Sequence, residues 1–273
     1  MRCILLPLLL LQALAGAGQA LLQPLTSLPS RINAASPHFA QAATFSANPA
    51  SLATLSRPSV ALQGERRFGQ ETLGSYNLDA ALPLASGVLG LSAAVGGATH
   101  WQETALGLAY GRRLGQRAWT GLHFRYVNVG SRALGRAATL SADAGLLLEL
   151  APGVHTGIFT HNPGRPRLGK SGDRLPALYG MSVAWAAPGQ WLLAATLRQQ
   201  EGSRPAVQAG AEYLLTARLR MQAGIDTGTP GFYLGAAAET GGLRVQVCLM
   251  VHRQLGGTPG LLLLFPDPAK SAL

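Results

Sequence analysis

The chain is poor in several things, and each shortage removes a class of protein. It has two cysteines, Cys3 and Cys248. The first falls in a leader that export would remove, so no disulfide framework can hold the rest. Beyond that leader no run of ~18 apolar residues occurs, which excludes a membrane bundle of helices. Charged residues make up 12% of the 273 positions, about half the usual share of a soluble domain. Catalytic signatures are missing as well. There is no G-x-S-x-G elbow, and Cys248 has no base beside it in sequence. His155 and His161 share one strand face but stand ~20 Å apart, too far to hold one ion. The other histidines, His38, His100, His123 and His252, are isolated in sequence. The expectation is a protein that is not an enzyme and carries no metal or cofactor.

The opening MRCILLPLLLLQALAGAGQA joins a positive Arg2, an apolar run and small residues at Gly18 and Ala20. That is the pattern of a secretory signal peptide over residues 1–20. The balance of 22 Lys+Arg against 12 Asp+Glu gives +10. An exported chain seldom meets nucleic acid, and these basic residues are scattered rather than clustered with aromatics. Anionic lipid headgroups, outer-membrane lipid and lipopolysaccharide among them, or an acidic partner suit them better.

One stretch, Gly164 to Ser171, reads GRPRLGKS and has the spacing of a phosphate-binding loop. Such a loop must open a helix whose N-terminus attracts the anion. Pro166 lies within the motif, and Gly172 and Pro176 follow it closely. The expectation is therefore a basic surface loop, with Arg165, Arg167, Lys170 and Arg174 facing water or lipopolysaccharide.

From about Arg57 the chain settles into β-like pieces of roughly ten residues separated by Gly, Pro and polar turns. In GLRVQVCLMVH, Leu243, Val245, Val247, Leu249 and Val251 share one face and Arg244, Gln246, Cys248, Met250 and His252 the other. ARLRMQAGID, VQAGAEY and TLSADAGLLLEL alternate likewise, a two-residue period that marks strands. One apolar face and one mixed face is what a barrel in lipid would show. About fourteen strands are expected, near 58–68, 72–83, 87–97, 102–112, 117–128, 136–149, 153–161, 177–186, 190–199, 206–214, 217–226, 231–239, 242–252 and 259–265. Connections after even-numbered strands are tight. Those after odd-numbered ones vary, with two expected to be long, Gly130–Ala137 and Asn162–Pro176. That asymmetry belongs to outer-membrane barrels. Tyr110, Trp119, Trp185, Trp191 and Tyr213 sit beside the tight turns, at the height of an interfacial girdle, although Trp119 has inward parity. A packed soluble β-sandwich would also place aromatics near strand ends.

Residues 21–56 are rich in Ala, Ser, Pro and Asn without steady period. They suit an N-terminal plug or periplasmic strap, or a disordered leader. The expected organisation is then signal peptide 1–20, plug or periplasmic segment 21–56, barrel 57–265 and tail 266–273.

Within the N-terminal segment lies FSANPASLATL, with Asn48, Pro49 and Ala50 at its centre. Together with the Glu212-Tyr213 strand, the Met221–Gly224 strand and the closing His252 before Leu255-Gly256, it resembles the PorV/PorQ-like outer-membrane barrels, which share their architecture with FadL-type channels. The resemblance implies an all-β transmembrane barrel of about fourteen antiparallel strands in the bacterial outer membrane. It implies a scaffold or docking role linked to type IX-like protein secretion, with secretion-system proteins or exported cargo as partners. A FadL-like channel for hydrophobic small molecules is the alternative, and a soluble secreted β-sandwich the second alternative.

The inward-facing polar residues are the remaining candidates, chiefly Arg125, Asp143, Glu149, Glu212, Arg218, Arg220, Asp226 and Arg244. They would either pair into a network filling the lumen or line a polar path. Both signs of charge on consecutive strands favour filling, because buried charges are tolerated best when paired.

Overall fold

The structure, a computed structural model, describes residues 25–131, 135–169, 174–187 and 190–266. The expected signal peptide lies outside the described residues, as does the tail from residue 267 onward. Because alternate residues of an extended chain point to opposite faces, the two-residue pattern resolves into strands with one apolar and one mixed face. In chain order these are β1 (Ser59–Arg66), β2 (Gly74–Leu84), β3 (Gly87–Ala98), β4 (Trp101–Leu114), β5 (Ala118–Ser131), β6 (Gly135–Ala151) and β7 (Val154–His161). They continue as β8 (Leu178–Ala187), β9 (Trp191–Gln200), β10 (Ala206–Thr216), β11 (Leu219–Asp226), β12 (Gly231–Thr240), β13 (Leu243–His252) and β14 (Gly256–Phe265). All fourteen pair antiparallel with their neighbours in sequence, and β1 closes on β14 with Val60 opposite Phe265 and Glu65 opposite Gly260.

The result is one closed sheet, which overturns the sandwich alternative: two stacked sheets would bury the apolar faces that here point outward. Leu62, Leu106, Phe124, Leu140, Met181 and Leu234 are all exposed on the outer wall. A continuous apolar belt of this kind is far larger than a soluble monomer presents, and it matches a lipid-facing surface. Tyr110, Trp185 and Tyr213 also face outward near the tight turns, and the Trp185 and Trp191 rings meet edge to face at 4.4 Å. Trp119 points inward and is buried against Ala50 and Leu147.

One connection differs from expectation. The Gly130–Ala137 stretch is mostly strand, because β5 and β6 stay paired as far as Ser131 opposite Gly135. Its small and polar residues carry no apolar alternation to reveal the strand, since a ladder that continues past the lipid needs none. The described residues of the Asn162–Pro176 stretch connect β7 to β8 without a strand. They carry an isolated bridge between Arg167 and Arg174, and Arg165 pairs with Glu201 at 2.6 Å in an exposed position. Lys170 to Asp173 lie outside the described residues, and the described flanks of the GRPRLGKS motif form turn and bridge rather than helix.

The hydrophobic core lies between the wall and the N-terminal segment, which packs inside the barrel. That segment runs through a 3₁₀ turn (Leu25–Ser27), helix α1 (Leu28–Asn33) and two further 3₁₀ turns (Ala42–Thr44 and Pro49–Thr54). Pro29 sits where a missing backbone N–H is harmless, at the start of α1. Leu28, Ile32 and Phe39 pack on Leu192, Tyr233 and Met250 of the wall. Phe45 and Leu52 pack on Ala61, Ala81, Ala109 and Leu264 from the other side. Residues of the 25–55 segment thus pack on the inner face of the wall.

Candidate functional site

The lumen holds the chemistry, and the plug determines what is left of it. The Asn48 side chain caps the last 3₁₀ turn by accepting from the Ala50 amide at 3.1 Å, with Pro49 in the first position of that turn. Asn48 Nδ2 donates to the Leu146 carbonyl at 3.5 Å, and the His161 ring contacts the Ala47 carbonyl at 3.0 Å. This turn lies on a bed of glycines. A Cβ added at Gly121 would collide with the Pro49 carbonyl, one at Gly145 with Asn48 Oδ1, and one at Gly157 would come to 3.0 Å from Asn48 Nδ2. Gly121 and Gly145 are direct partners across β5 and β6. Asn48, Pro49 and Ala50 are thus brought together against three neighbouring strands.

Charged side chains tie the other end of the plug to the wall. Glu212 accepts from Arg220 at 3.1 Å, from Gln222 at 2.7 Å and from Asn33 of α1 at 2.8 Å. Arg244 donates to Gln41 of the plug at 3.4 Å. Glu65 accepts from the Thr26 amide and hydroxyl, each at 2.8 Å, and pairs with Arg67 at 2.9 Å. Asp226 accepts from Gln208 at 2.5 Å and is reached by Arg198 at 3.5 Å.

A separate group centres on Asp143. Arg125 reaches both of its carboxylate oxygens at 2.9 Å, and His161 lies 3.2 Å and His123 3.6 Å from it. Of the residues expected in the lumen, Arg125 and Asp143 form one pair and Glu212 and Arg220 another. Asp226 takes a partner not anticipated, Arg198, and Arg244 turns to the plug. Glu149 stands apart, near His38 and His155, whose rings meet at 5.3 Å. Arg218 is exposed in the turn between β10 and β11, because the chain leaves the ladder before its inward parity takes effect. His123, isolated in sequence, and His161, read there only beside His155, converge because the β5–β6–β7 register sets each of them opposite Asp143. Glu65, Arg67, Arg198 and Arg31 were also missed. For Glu65 the inward parity of β1 was the available signal.

Between plug and wall lies a cavity of about 90 Å³. Its lining mixes small apolar residues, among them Ala34, Ala47 and Leu178, with polar ones such as Arg31, Asp79, Arg125 and Arg198. On the outer wall a shallow groove of about 530 Å³ runs across β6 to β9, lined by Leu146, Ile158, Tyr179, Met181 and Leu197. Phe159 borders both. Its ring lies so close over the Gly180 backbone that a Cβ there would collide with it. Phe159 therefore marks the place where the interior cavity and the apolar outer groove flank the same stretch of wall, the β7–β8 ladder in which it stands opposite Gly180.

No family model and no curated protein sequence matches the chain. Solved structures do match its fold. A Pseudomonas aeruginosa FadL homologue shares 12% identity at a TM-score of 0.63, over 90% of this chain and 99% of that one. The Pseudomonas putida toluene transporter TodX gives 10% and 0.59, over 81% of this chain and 91% of that one. The Ralstonia pickettii toluene transporter TbuX gives 11% and 0.55, over 82% and 92%. The barrel is thus of the FadL architectural type. These comparisons support the FadL side of the resemblance, and none of them speaks for its PorV/PorQ or secretion-linked side.

Proposed function

We propose that the protein is a conduit for small hydrophobic molecules in the bacterial outer membrane, with passage between lumen and lipid through the wall beside Phe159. The observation that carries this reading is the position of that ring, which borders both the interior cavity and the apolar outer groove. The ring covers Gly180, its partner across the β7–β8 ladder, so an opening at this point needs that pairing to part as well as the ring to move. Transport by barrels of the same architecture, two of them toluene transporters, agrees with the reading. The secretion scaffold is the weaker reading, because the landmarks that suggested it are turns and strands that any barrel with this interior segment needs.

The test is uptake of labelled toluene by whole cells of a Gram-negative host without hydrophobic channels of its own. Expression should accelerate uptake, and Phe159→Ala should accelerate it further, by several-fold. Phe159→Trp should slow it. Uptake equal to that of cells lacking the protein would overturn the conduit.

A further inference from the structure

Three side chains of the inner wall meet in an arrangement that the conduit does not use. Ser92 Oγ of β3 lies 2.9 Å from Nε2 of His123 on β5. The other ring nitrogen, Nδ1, faces Asp143 of β6 at 3.6 Å. Serine and carboxylate thus address opposite nitrogens of one imidazole. That constellation activates a hydroxyl as a nucleophile, and it is recognised by geometry rather than by order in the chain. The 3.6 Å separation is longer than a hydrogen bond, as is common in free catalytic sets that tighten around substrate. Strand register builds the array. His123 stands opposite Asp143, and Ser92 and Arg125 each stand opposite Gly107 of β4. Because Gly107 has no side chain, Ser92 and His123 meet across that strand, where a Cβ would collide with both Oγ and Nε2. Phe45 of the plug meets the His123 ring edge to face at 5.4 Å, and Arg125 and His161 hold the Asp143 carboxylate at 2.9 and 3.2 Å. Ser92, His123 and Arg125 all line the interior cavity. Ser36 also meets a histidine, His155 Nδ1 at 3.4 Å, but the Nε2 of that ring has no partner among the described residues.

We propose that the barrel hydrolyses short carboxylic esters in its interior cavity, with Ser92 as nucleophile and His123 as general base and then general acid. Attack forms a bond from Ser92 Oγ to the carbonyl carbon while the hydroxyl proton passes to His123 Nε2. The carbon–oxygen bond to the alcohol then breaks, and Nε2 gives the proton to the leaving oxygen. Water, the second reactant, adds to the acyl carbon as Nε2 takes its proton; the bond to Oγ breaks, and that proton returns to Oγ. Asp143 is a positioning residue. It favours the tautomer with the proton on Nδ1, which leaves Nε2 free to accept. Arg125, across Gly107 from Ser92, brings positive charge to the side of the cavity on which the carbonyl oxygen becomes negative. The cavity sets the substrate class. Its volume of about 90 Å³ is less than the ~150 Å³ in which an engineered core accommodates benzene, so an acetyl group fits and an octanoyl group does not. This activity goes beyond the conduit reading and does not depend on it.

The experiment gives the full chain in non-ionic detergent ethyl acetate or ethyl octanoate and follows acid release by titration at constant pH. A second arm uses methanesulfonyl fluoride, a small covalent probe of an activated serine. Ethyl acetate should be hydrolysed faster than in buffer alone, and about tenfold or more faster than ethyl octanoate. The probe should lose fluoride and leave its methanesulfonyl group on the peptide that carries Ser92, and hydrolysis should stop with labelling. Ser92→Ala should bring hydrolysis down to the buffer rate, and His123→Gln should lower kcat by about a hundredfold or more. Asp143→Asn should lower kcat with KM nearly unchanged, a split that a loss of packing would not give. The heat-dependent gel shift reports whether each variant folds. Should one fail to fold, the position of the label on the wild-type chain decides the matter. Hydrolysis no faster than in buffer, equal rates for the two esters, a label on another residue, or full activity in folded Ser92→Ala would overturn the proposal. The two readings fail separately: toluene uptake without ester hydrolysis removes the esterase alone, and hydrolysis without uptake removes the conduit.

Discussion

The two ends of the plug rest on the wall in different ways. Around Asn48-Pro49-Ala50 the contact is one of shape: backbone and a short amide fit against Gly121, Gly145 and Gly157, where a single added carbon would collide or crowd. Around α1 the contact is one of charge, with Asn33, Thr26 and Gln41 bonded to Glu212, Glu65 and Arg244. The first arrangement leaves no polar atom in need of a ligand. The second concentrates ionisable groups, and among the described residues the Nε of Arg31 has no hydrogen-bond partner. Position is fixed by close packing at one end and by hydrogen bonds to charged side chains at the other.

The largest way to break this contrast is at Glu212. Glu212→Ala removes the carboxylate that Arg220 reaches at 3.1 Å and that accepts from Asn33 and Gln222. A loss of about 3–5 kcal/mol is expected, the usual scale for breaking one side of a buried pair. Thermal unfolding in detergent, read by the heat-dependent gel shift, should show it. Changed permeability at unchanged stability would mean that these groups line a path instead of filling the lumen.

A smaller effect is expected at the other end. Gly121→Ala sets a methyl against the Pro49 carbonyl, a backbone atom that no rotamer change can move. Overpacking of this kind costs about 1–3 kcal/mol. The turn should lift from the wall while the barrel stays closed, so vesicle swelling with small sugars should rise even where the gel shift survives. Swelling that stays at the wild-type level would show that the turn is not held by fit.

The two arrangements differ equally in how far the sequence reveals them. Strand positions were legible to within three residues because lipid on one side and a mixed interior on the other impose a two-residue period on every strand. Charged residues in that period, such as Glu212 and Arg220, stood out for the same reason. The glycine bed did not, since a glycine at an inward position carries no sign of what lies above it. Arg125 and Asp143 stood out too, but the histidines that join them, His123 and His161, come from β5 and β7 and meet only through register. Arg31 lies outside any strand, and Arg198 meets Asp226 only two strands along the inner face, from β9 to β11.

The finest test separates side-chain fit from backbone fit within the glycine bed. Asn48→Ala removes the cap on the Ala50 amide and should cost about 1 kcal/mol. It also clears the atom that a Cβ on Gly145 would strike, whereas the atom above Gly121 belongs to the backbone of Pro49 and remains. In a double-mutant cycle Asn48→Ala should therefore relieve part of the harm of Gly145→Ala and none of the harm of Gly121→Ala. Neighbouring groups that share a contact couple by about 0.5–3 kcal/mol, well above the error of additivity for independent sites. Equal relief at both glycines would place the strain in the turn as a whole. Relief at Gly145 alone would assign the hold of this end of the plug to two distinct contacts, one through an amide side chain and one through a peptide carbonyl.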